Sequence, residues 1–142
     1  MSLVLTSLEI IIPIGLVIVI LITILWVLYY QNREVYKKLA QEKNKMNSYK
    51  KGVKDVEDNP SENPKDDFKK LNKIARAFFK EFYNLDSNLT YLELADRFKK
   101  LKRENYIIFC KTMSEWSYSG KAITSLELRQ LADLLYKMVE EY

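Results

Sequence analysis

The sequence predicts an all-α protein with a single N-terminal transmembrane helix, a linker and a compact four-helix domain. Three observations predict this architecture. Residues 10–30 contain no charged side chain. From residue 64 to the end, apolar residues recur at helical spacing, and no strand-like alternation competes with them. Two segments, "NLTYLEL" and "AITSLEL", carry the same helix-start signature.

The uncharged segment is long enough to cross a bilayer. A helix of residues 10–30 would be about 31 Å long, close to the roughly 30 Å hydrocarbon core of a membrane. Its last residues include Trp26, Tyr29 and Tyr30, and such aromatic residues are typical of the membrane interface. A cleaved signal peptide would need a basic start and a shorter apolar core, and residues 1–9 contain no Lys or Arg. We therefore predict an uncleaved membrane anchor.

The charges on either side of this segment predict its orientation. Residues 1–9 contain one acidic residue and no basic residue, whereas residues 31–54 contain eight basic residues and two acidic ones. The positive-inside rule then places the short N-terminus outside and the C-terminal part in the cytoplasm. A single cysteine, Cys110, cannot form an internal disulfide and fits a reducing compartment. We expect a single-pass protein of the cell membrane.

A basic segment and a linker are predicted between the anchor and the domain. Residues 31–51 are expected to form a basic juxtamembrane helix. It has a loose apolar stripe, which Glu42 interrupts and which leaves a parallel coiled coil open: Val35, Leu39, Met46 and Tyr49. Gly52, two Asn-Pro pairs and several acidic residues predict a flexible linker over residues 52–63.

Residues 64–142 are predicted to form the four-helix domain. Asn63 is a good N-cap for its first helix, and Pro64 suits the first helical position. The expected apolar stripe of that helix is Phe68, Leu71, Ile74, Ala75, Phe78, Phe79 and Phe82. The helix is expected to end near Asn84, where the sequence becomes turn-like.

The two similar segments predict two helix starts. Thr90 with Glu93, and Thr124 with Glu127, have the spacing of a capping box, and each box has an apolar residue on both sides for a hydrophobic staple. The segments are 34 residues apart, the period of a tetratricopeptide repeat, but the residues that follow them do not align. We therefore interpret them as two capping devices.

Two further helices complete the predicted domain. The helix between the two starts has an apolar face of Tyr106, Phe109, Cys110, Met113 and Trp116. Gly120 is placed to end this helix as a left-handed cap. The last helix is expected from about Ser125 to Glu140, with six residues facing the core: Leu128, Leu131, Ala132, Leu135, Met138 and Val139.

The side chains that most enzymes use are scarce. The chain has no histidine, which excludes Ser-His and Cys-His pairs and histidine metal sites. One cysteine excludes a cysteine zinc site, and three isolated glycines do not make a phosphate-binding loop. Cys110 lies on an apolar face and is predicted to be a core residue. We predict no catalytic activity, no cofactor and no metal.

Two surfaces are candidates for binding. The first comprises the predicted partner contacts Tyr91, Trp116, Tyr118 and Lys121, because Trp and Tyr are favoured interface anchors. Core packing of Trp116 and coverage of a helix end by Tyr118 is the alternative interpretation. The second comprises candidate contacts to an anionic surface: Arg97, Lys99, Lys100, Lys102, Arg103, Lys37 and Lys38. For residues 97–103 the alternative interpretation is stabilisation of a helix C-terminus. Residues 97–103 also lack the interleaved aromatic residues that stack on nucleic-acid bases.

The segment "LTYLELADRF" resembles the "T-P-x-E-Y-x-x-R-L" stretch of a small helical domain of unknown function, found at the C-terminus of membrane-bound transglutaminase-like proteins. The resemblance covers about residues 70–140 and includes the corner Tyr118-Ser119-Gly120 and the helix start Ile123-Thr124. Tyr91 stands where that family usually has proline, and the transglutaminase-like domain is missing. The resemblance therefore implies a cytosolic accessory module, in a family whose genes often accompany chaperone-like AAA-type ATPases, and no enzymatic activity.

These features together predict a membrane-anchored cytosolic interaction or scaffold module, accessory to a membrane-associated complex. Its expected partners are membrane lipid, through residues 10–30, and a protein; nucleic acid is not an expected partner, and a homo-oligomer stays open. The alternative is a basic surface that binds anionic lipid or nucleic acid at the membrane.

Overall fold

The computed structural model describes residues 2–142, with side chains from residue 7 onward; Met1, the first residue of the predicted outer segment, lies outside the described residues. All regular elements in this part of the chain are helices, which confirms the predicted all-α class. They are α1 (Ser2–Asp58), α2 (Pro64–Tyr83), α3 (Tyr91–Lys100), α4 (Glu104–Tyr118) and α5 (Ser125–Glu140). The chain divides into two units, Met1–Lys43 and Asn44–Tyr142, with the division inside α1.

The first unit is one helix with an apolar and then a basic sequence. Its apolar segment is long and apolar enough to cross a membrane. An 18-residue stretch of it has a mean hydropathy of 3.1, and no residue of this stretch is buried. Inside such a segment a helix satisfies its own backbone hydrogen bonds, as a bilayer requires. The Thr23 hydroxyl also donates to the carbonyl of Val19 at 2.8 Å. The orientation of this segment stays a prediction.

The second unit has a core rich in aromatic side chains. Phe78, Phe79, Phe98 and Tyr106 are fully buried or nearly so. The ring centroids of Phe98 and Tyr106 are 4.8 Å apart, and those of Phe79 and Phe98 are 5.0 Å apart. The Tyr106 hydroxyl donates to the carbonyl of Met138 at 2.7 Å and accepts from the Tyr83 hydroxyl at 3.0 Å. Burial of these rings is a major source of stability, and each hydroxyl has a partner.

The predicted linker over residues 52–63 is corrected by the structure. α1 continues to Asp58, and Val53 and Val56 are buried in the core of the second unit. Gly52 weakens a helix by only about 1 kcal/mol, and burial of two valine side chains outweighs that cost. The break in the helix is confined to residues 59–63. The unit therefore contains residues 44–58 of α1 in addition to the four helices expected after residue 63.

Residues 44–58 contact both α2 and α5. Lys45 Nζ lies 2.6 Å from a carboxylate oxygen of Glu81, and the Tyr49 hydroxyl donates to the same side chain. Lys50 Nζ and Lys54 Nζ lie 5.7 and 5.9 Å from the ring centroid of Tyr136 on α5. These contacts place the basic end of α1 against the rest of the unit.

The expected helix starts and ends are present. Both capping boxes form: Thr90 and Thr124 accept from the backbone of Glu93 and Glu127, whose side chains accept in return from the threonine backbone. The Asn63 side chain accepts from the backbone N–H of Lys65 at 3.1 Å. α5 has the bounds expected for the last helix, and all six of its expected core residues are buried.

Candidate protein-interaction site

The connection between α4 and α5 is held at both ends; we call residues 118–126, which include the last residue of α4 and the first two of α5, the α4–α5 corner. Gly120 has a φ of +61°, a left-handed conformation that glycine adopts without strain, and it ends α4 as predicted. The backbone N–H of Lys121 donates to the Ser119 hydroxyl at 3.3 Å. At the other end, the Thr124 capping box begins α5. The hydrogen bond from the Thr124 backbone lowers the pKa of Glu127, so this carboxylate stays charged to a lower pH than an ordinary glutamate.

Trp116 and Tyr118 have different surroundings. Trp116 is half-buried and packs on Phe68 of α2, with ring centroids 6.2 Å apart. Most of its surface therefore serves the core, as the alternative interpretation expected. Tyr118 is 75% exposed, and Lys121 is exposed as well. Of the predicted partner contacts, Tyr118 and Lys121 are free to reach a partner, whereas only a minor part of Trp116 is accessible.

Tyr91 is not exposed, so its prediction as a partner contact is wrong. Only 4% of its surface is accessible. Its hydroxyl donates to the side-chain oxygen of Asn72, and the Arg76 guanidinium lies 4.6 Å from its ring centroid. Burial raises the pKa of Tyr91 well above its ordinary value. Tyr91 is buried because the first turn of α3 packs against α2 and turns this side chain inward.

The basic cluster of residues 97–103 lies around the end of α3. Arg97, Lys99 and Lys100 are in the last turn of that helix, where cations favour the helix dipole. Lys102 has a φ of 56° in the turn, and Arg103 is the N-cap of α4. Within the described residues none of the five forms an ion pair. Lys37 and Lys38 are exposed on α1, in the other unit.

A groove with a cavity volume of about 290 Å³ lies where the end of α1 and the starts of α2 and α5 meet. We call it the α1–α5 groove. Its apolar lining consists of Val56, Pro60, Pro64, Leu126, Leu128 and Ala132. An ion pair lies at the groove, with Arg129 Nε 3.8 Å from a carboxylate oxygen of Glu57. Leu126 is 65% exposed, so the groove opens beside the α4–α5 corner.

One buried carboxylate lines the groove and has internal partners. Asp67 is 1% exposed and accepts from the backbone N–H of Ser61 at 2.9 Å. The Ser61 hydroxyl donates to its other oxygen, and Lys70 Nζ lies 3.6 Å away. Asp67 therefore fastens the turn after α1 to the first turn of α2. Among the described residues no buried side-chain polar atom lacks a partner.

Cys110 is buried, as its place on an apolar face predicted. Burial raises the pKa of its thiol to about 12. A thiol with that pKa is almost entirely protonated at pH 7, and the protonated form is a poor nucleophile. No group of three or more His, Cys, Asp or Glu side chains that could hold a metal ion occurs within residues 7–142.

Comparison with known proteins gives no relative: no family model, no curated protein and no solved structure matches the chain. The resemblance of residues 70–140 to the domain of transglutaminase-like proteins stays a prediction. Sequence reasoning missed the α1–α5 groove because it assigned Val56 and Pro60 to the linker. The available signal was the spacing of Met46, Tyr49, Val53 and Val56, which continues a helical stripe beyond Gly52.

Proposed function

We propose that this protein is a membrane-anchored interaction module without catalytic activity. The apolar part of α1 anchors it, the helical unit of residues 44–142 lies in the cytoplasm, and the α4–α5 corner binds a protein partner. In this role the anchor confines the partner near the bilayer and raises its effective concentration there. The protein is then accessory to a membrane-associated complex.

The observation that carries this proposal is the exposure of two large side chains on a fixed corner. Tyr118 is 75% exposed and Leu126 is 65% exposed, at the two ends of a connection that Gly120 and a capping box hold in place. A rigid, exposed aromatic residue loses little conformational entropy on binding, which is why tyrosine is common at the centre of interfaces. The adjacent groove offers space for an apolar side chain of the partner.

Cross-linking and co-purification of the full chain from its native membranes tests this proposal. The variant Tyr118→Ala/Leu126→Ala removes the two exposed side chains, and Leu92→Ala/Ile108→Ala is the matched control. The control residues are 57% and 54% exposed and lie on α3 and α4. We expect a discrete protein partner with the wild type and the control, and at least a tenfold loss with the corner variant.

Two further readouts make the result decisive. Protection of the Cys110 thiol from labelling must be equal in all three chains, so that loss of the partner is not loss of the fold. A hydrophobic interface also predicts that binding changes little between low and physiological salt. A partner that both variants retain equally, or recovery of the protein alone, contradicts the proposed surface.

Anionic lipid binding is a second candidate function, with its own observation. Arg33, Lys37 and Lys38 lie together on the surface of α1 just after the apolar segment, and within the described residues they form no ion pair. Each basic residue near an anionic surface contributes roughly 1 kcal/mol. The triple variant Arg33→Gln/Lys37→Gln/Lys38→Gln should lose bound phosphatidylglycerol in nanodiscs, whereas Lys99→Gln/Lys100→Gln should retain it. Equal lipid retention, or displacement of the lipid by added RNA, argues against this function.

A further inference from the structure

The basic segment that follows the apolar part of α1 has two distinct faces. Val35 and Leu39 are four residues apart and lie on one face of the helix, 54% and 56% exposed. Asn32 lies on the same face, one turn before Val35. Arg33, Lys37 and Gln41 follow each other at four-residue intervals on the opposite face. When a helix outside the membrane carries such an apolar face, another element usually covers that face.

The spacing of that face is the spacing of a parallel coiled coil. Leu25, Leu28, Asn32, Val35 and Leu39 are separated by steps of three and four, so they occupy successive a and d positions of a heptad. Inside residues 10–30 every position is uncharged, so the pattern is informative only from Asn32 onward. There Val35 and Leu39 share one face with Tyr36 at its edge, and the opposite face is polar and basic. We call these five residues the α1 stripe.

We propose that the α1 stripe is a self-association surface, on which α1 of a second copy packs in parallel. The proposal goes beyond the partner-binding corner and rests on the membrane anchor of the proposed function. Two copies inserted in one membrane in the same direction are parallel by necessity. Asn32 then faces Asn32 of the second copy, and paired asparagines at an a position fix parallel orientation and register. A pairing segment this short works because the membrane confines both helices.

The sequence also explains where this surface ends. Glu42 takes the next stripe position after Leu39, and a buried unpaired carboxylate is unfavourable there. Lys38 and Lys43 occupy the flanking positions that face each other between parallel copies, and like charges repel. Pairing is therefore confined to residues 25–39. A second copy fits this face better than a lipid surface does, because a helix–helix contact pairs the Asn32 amide with an identical amide that can both donate and accept.

Cysteine cross-linking in membranes tests the proposal with a face-by-face control. Single changes Asn32→Cys, Val35→Cys and Leu39→Cys probe the stripe, and Arg33→Cys, Lys37→Cys and Gln41→Cys probe the opposite face. Native Cys110 stays in place, because it is buried and the unmodified chain gives the background. After mild oxidation of membranes at low expression, we expect at least fivefold more disulfide-linked dimer at the three stripe positions. Equal yields on both faces, a maximum on the opposite face or no dimer at any position overturns the proposal.

A second measurement separates self-association from capture of another protein. Energy transfer between two fluorescently tagged full-length copies in vesicles should fall by at least half in Val35→Lys and stay unchanged in Gln41→Lys, which adds the same charge to the other face. Equal signals in the two variants, or cross-links to a protein of another size only, contradict a second copy as the occupant. Carbonate extraction is the control for insertion. Release of the protein from membranes would contradict the anchor itself. An inserted protein whose cross-links show no preferred face would contradict only the self-association.

Discussion

Residues 31–43 and 44–58 of α1 have similar patterns of basic and apolar residues and different surroundings. Both segments are basic, and both carry apolar residues at helical spacing. Val35 in the first segment is 54% exposed, whereas Val53 in the second is fully buried. The basic residues differ in the same way, because Lys45 pairs with Glu81 at 2.6 Å and Lys50 approaches Glu140 at 3.9 Å. The comparison teaches that periodicity identifies an apolar face, while only the packed structure shows what covers it.

The largest expected effect is the contrast between a charge at position 53 and the same charge at position 35. Val53→Asp places an unpaired carboxylate in the core and should lower the free energy of unfolding by at least about 3 kcal/mol. Val35→Asp should leave the unfolding of the helical unit within about 0.5 kcal/mol of the wild type. Labelling of the Cys110 thiol along a urea series measures both. Equal effects at the two positions would mean that residues 44–58 are not part of the core.

A smaller effect is expected where the turn after α1 is fastened to α2. Asp67→Asn replaces an acceptor of two hydrogen bonds from Ser61 by an amide that cannot accept both, and should cost about 1–3 kcal/mol of unfolding free energy. Asp66→Asn changes an exposed neighbour with the same chemistry and should cost much less. The same urea series compares them. If Asp66→Asn is the more destabilising change, the turn is not held by Asp67.

The capping boxes should contribute about 1 kcal/mol each. Thr90→Ala and Thr124→Ala remove the side-chain oxygen that accepts from the third helical N–H, and each should lower stability by about 0.5–2 kcal/mol. Thr112→Ala is the matched control, because Thr112 lies inside α4, where its hydroxyl donates to the carbonyl of Ile108 and alanine is the better helix former. Thermal unfolding followed by circular dichroism measures all three. A loss in the control as large as in the caps would argue against the boxes.

The smallest effect is expected at the contact between Glu81 and residues 44–58. Hydrogen bonds from Lys45 and then Tyr49 lower the pKa of Glu81 below its ordinary value of 4.5. A carboxyl whose pKa is lowered on folding stabilises the folded state above its unfolded pKa, and this contribution is lost as pH falls through the folded pKa. Glu81→Gln should therefore cost less than about 1 kcal/mol at pH 7. The difference from the wild type should shrink as pH falls below 4.5 and vanish once Glu81 is protonated in the folded state, and a difference that grows with acid would contradict the contact.

Local signals in the sequence were sufficient for most helix boundaries. Asn63, Thr90, Thr124 and Gly120 act within one turn of their own position, so their roles follow from short-range hydrogen bonding and backbone preference. The buried face of α5 follows in the same way from spacing. The linker prediction was wrong because Gly52 and the acidic residues were weighed as local signals. The burial of Val53 and Val56 depends on helices far along the chain.

The candidate site was predictable only in part, because the burial of a side chain depends on residues far along the chain. The exposed Tyr118 follows from its place at a helix end, next to a glycine cap. Tyr91 is also a tyrosine at a helix terminus, the start of α3, and yet it is buried, since α2 supplies Asn72 and Arg76 around it. No single-residue pattern distinguishes these two tyrosines.

By itself, the sequence determined the all-α class, the apolar segment of membrane length, the caps and the identity of each apolar face. These properties depend on composition and on contacts within a few residues. Only the tertiary structure decided that α1 continues through residues 52–58, that Tyr91 is internal and that a groove opens beside residue 126. Those properties depend on which distant surfaces meet, and the free energy of burial there exceeds the weak preferences of single residues.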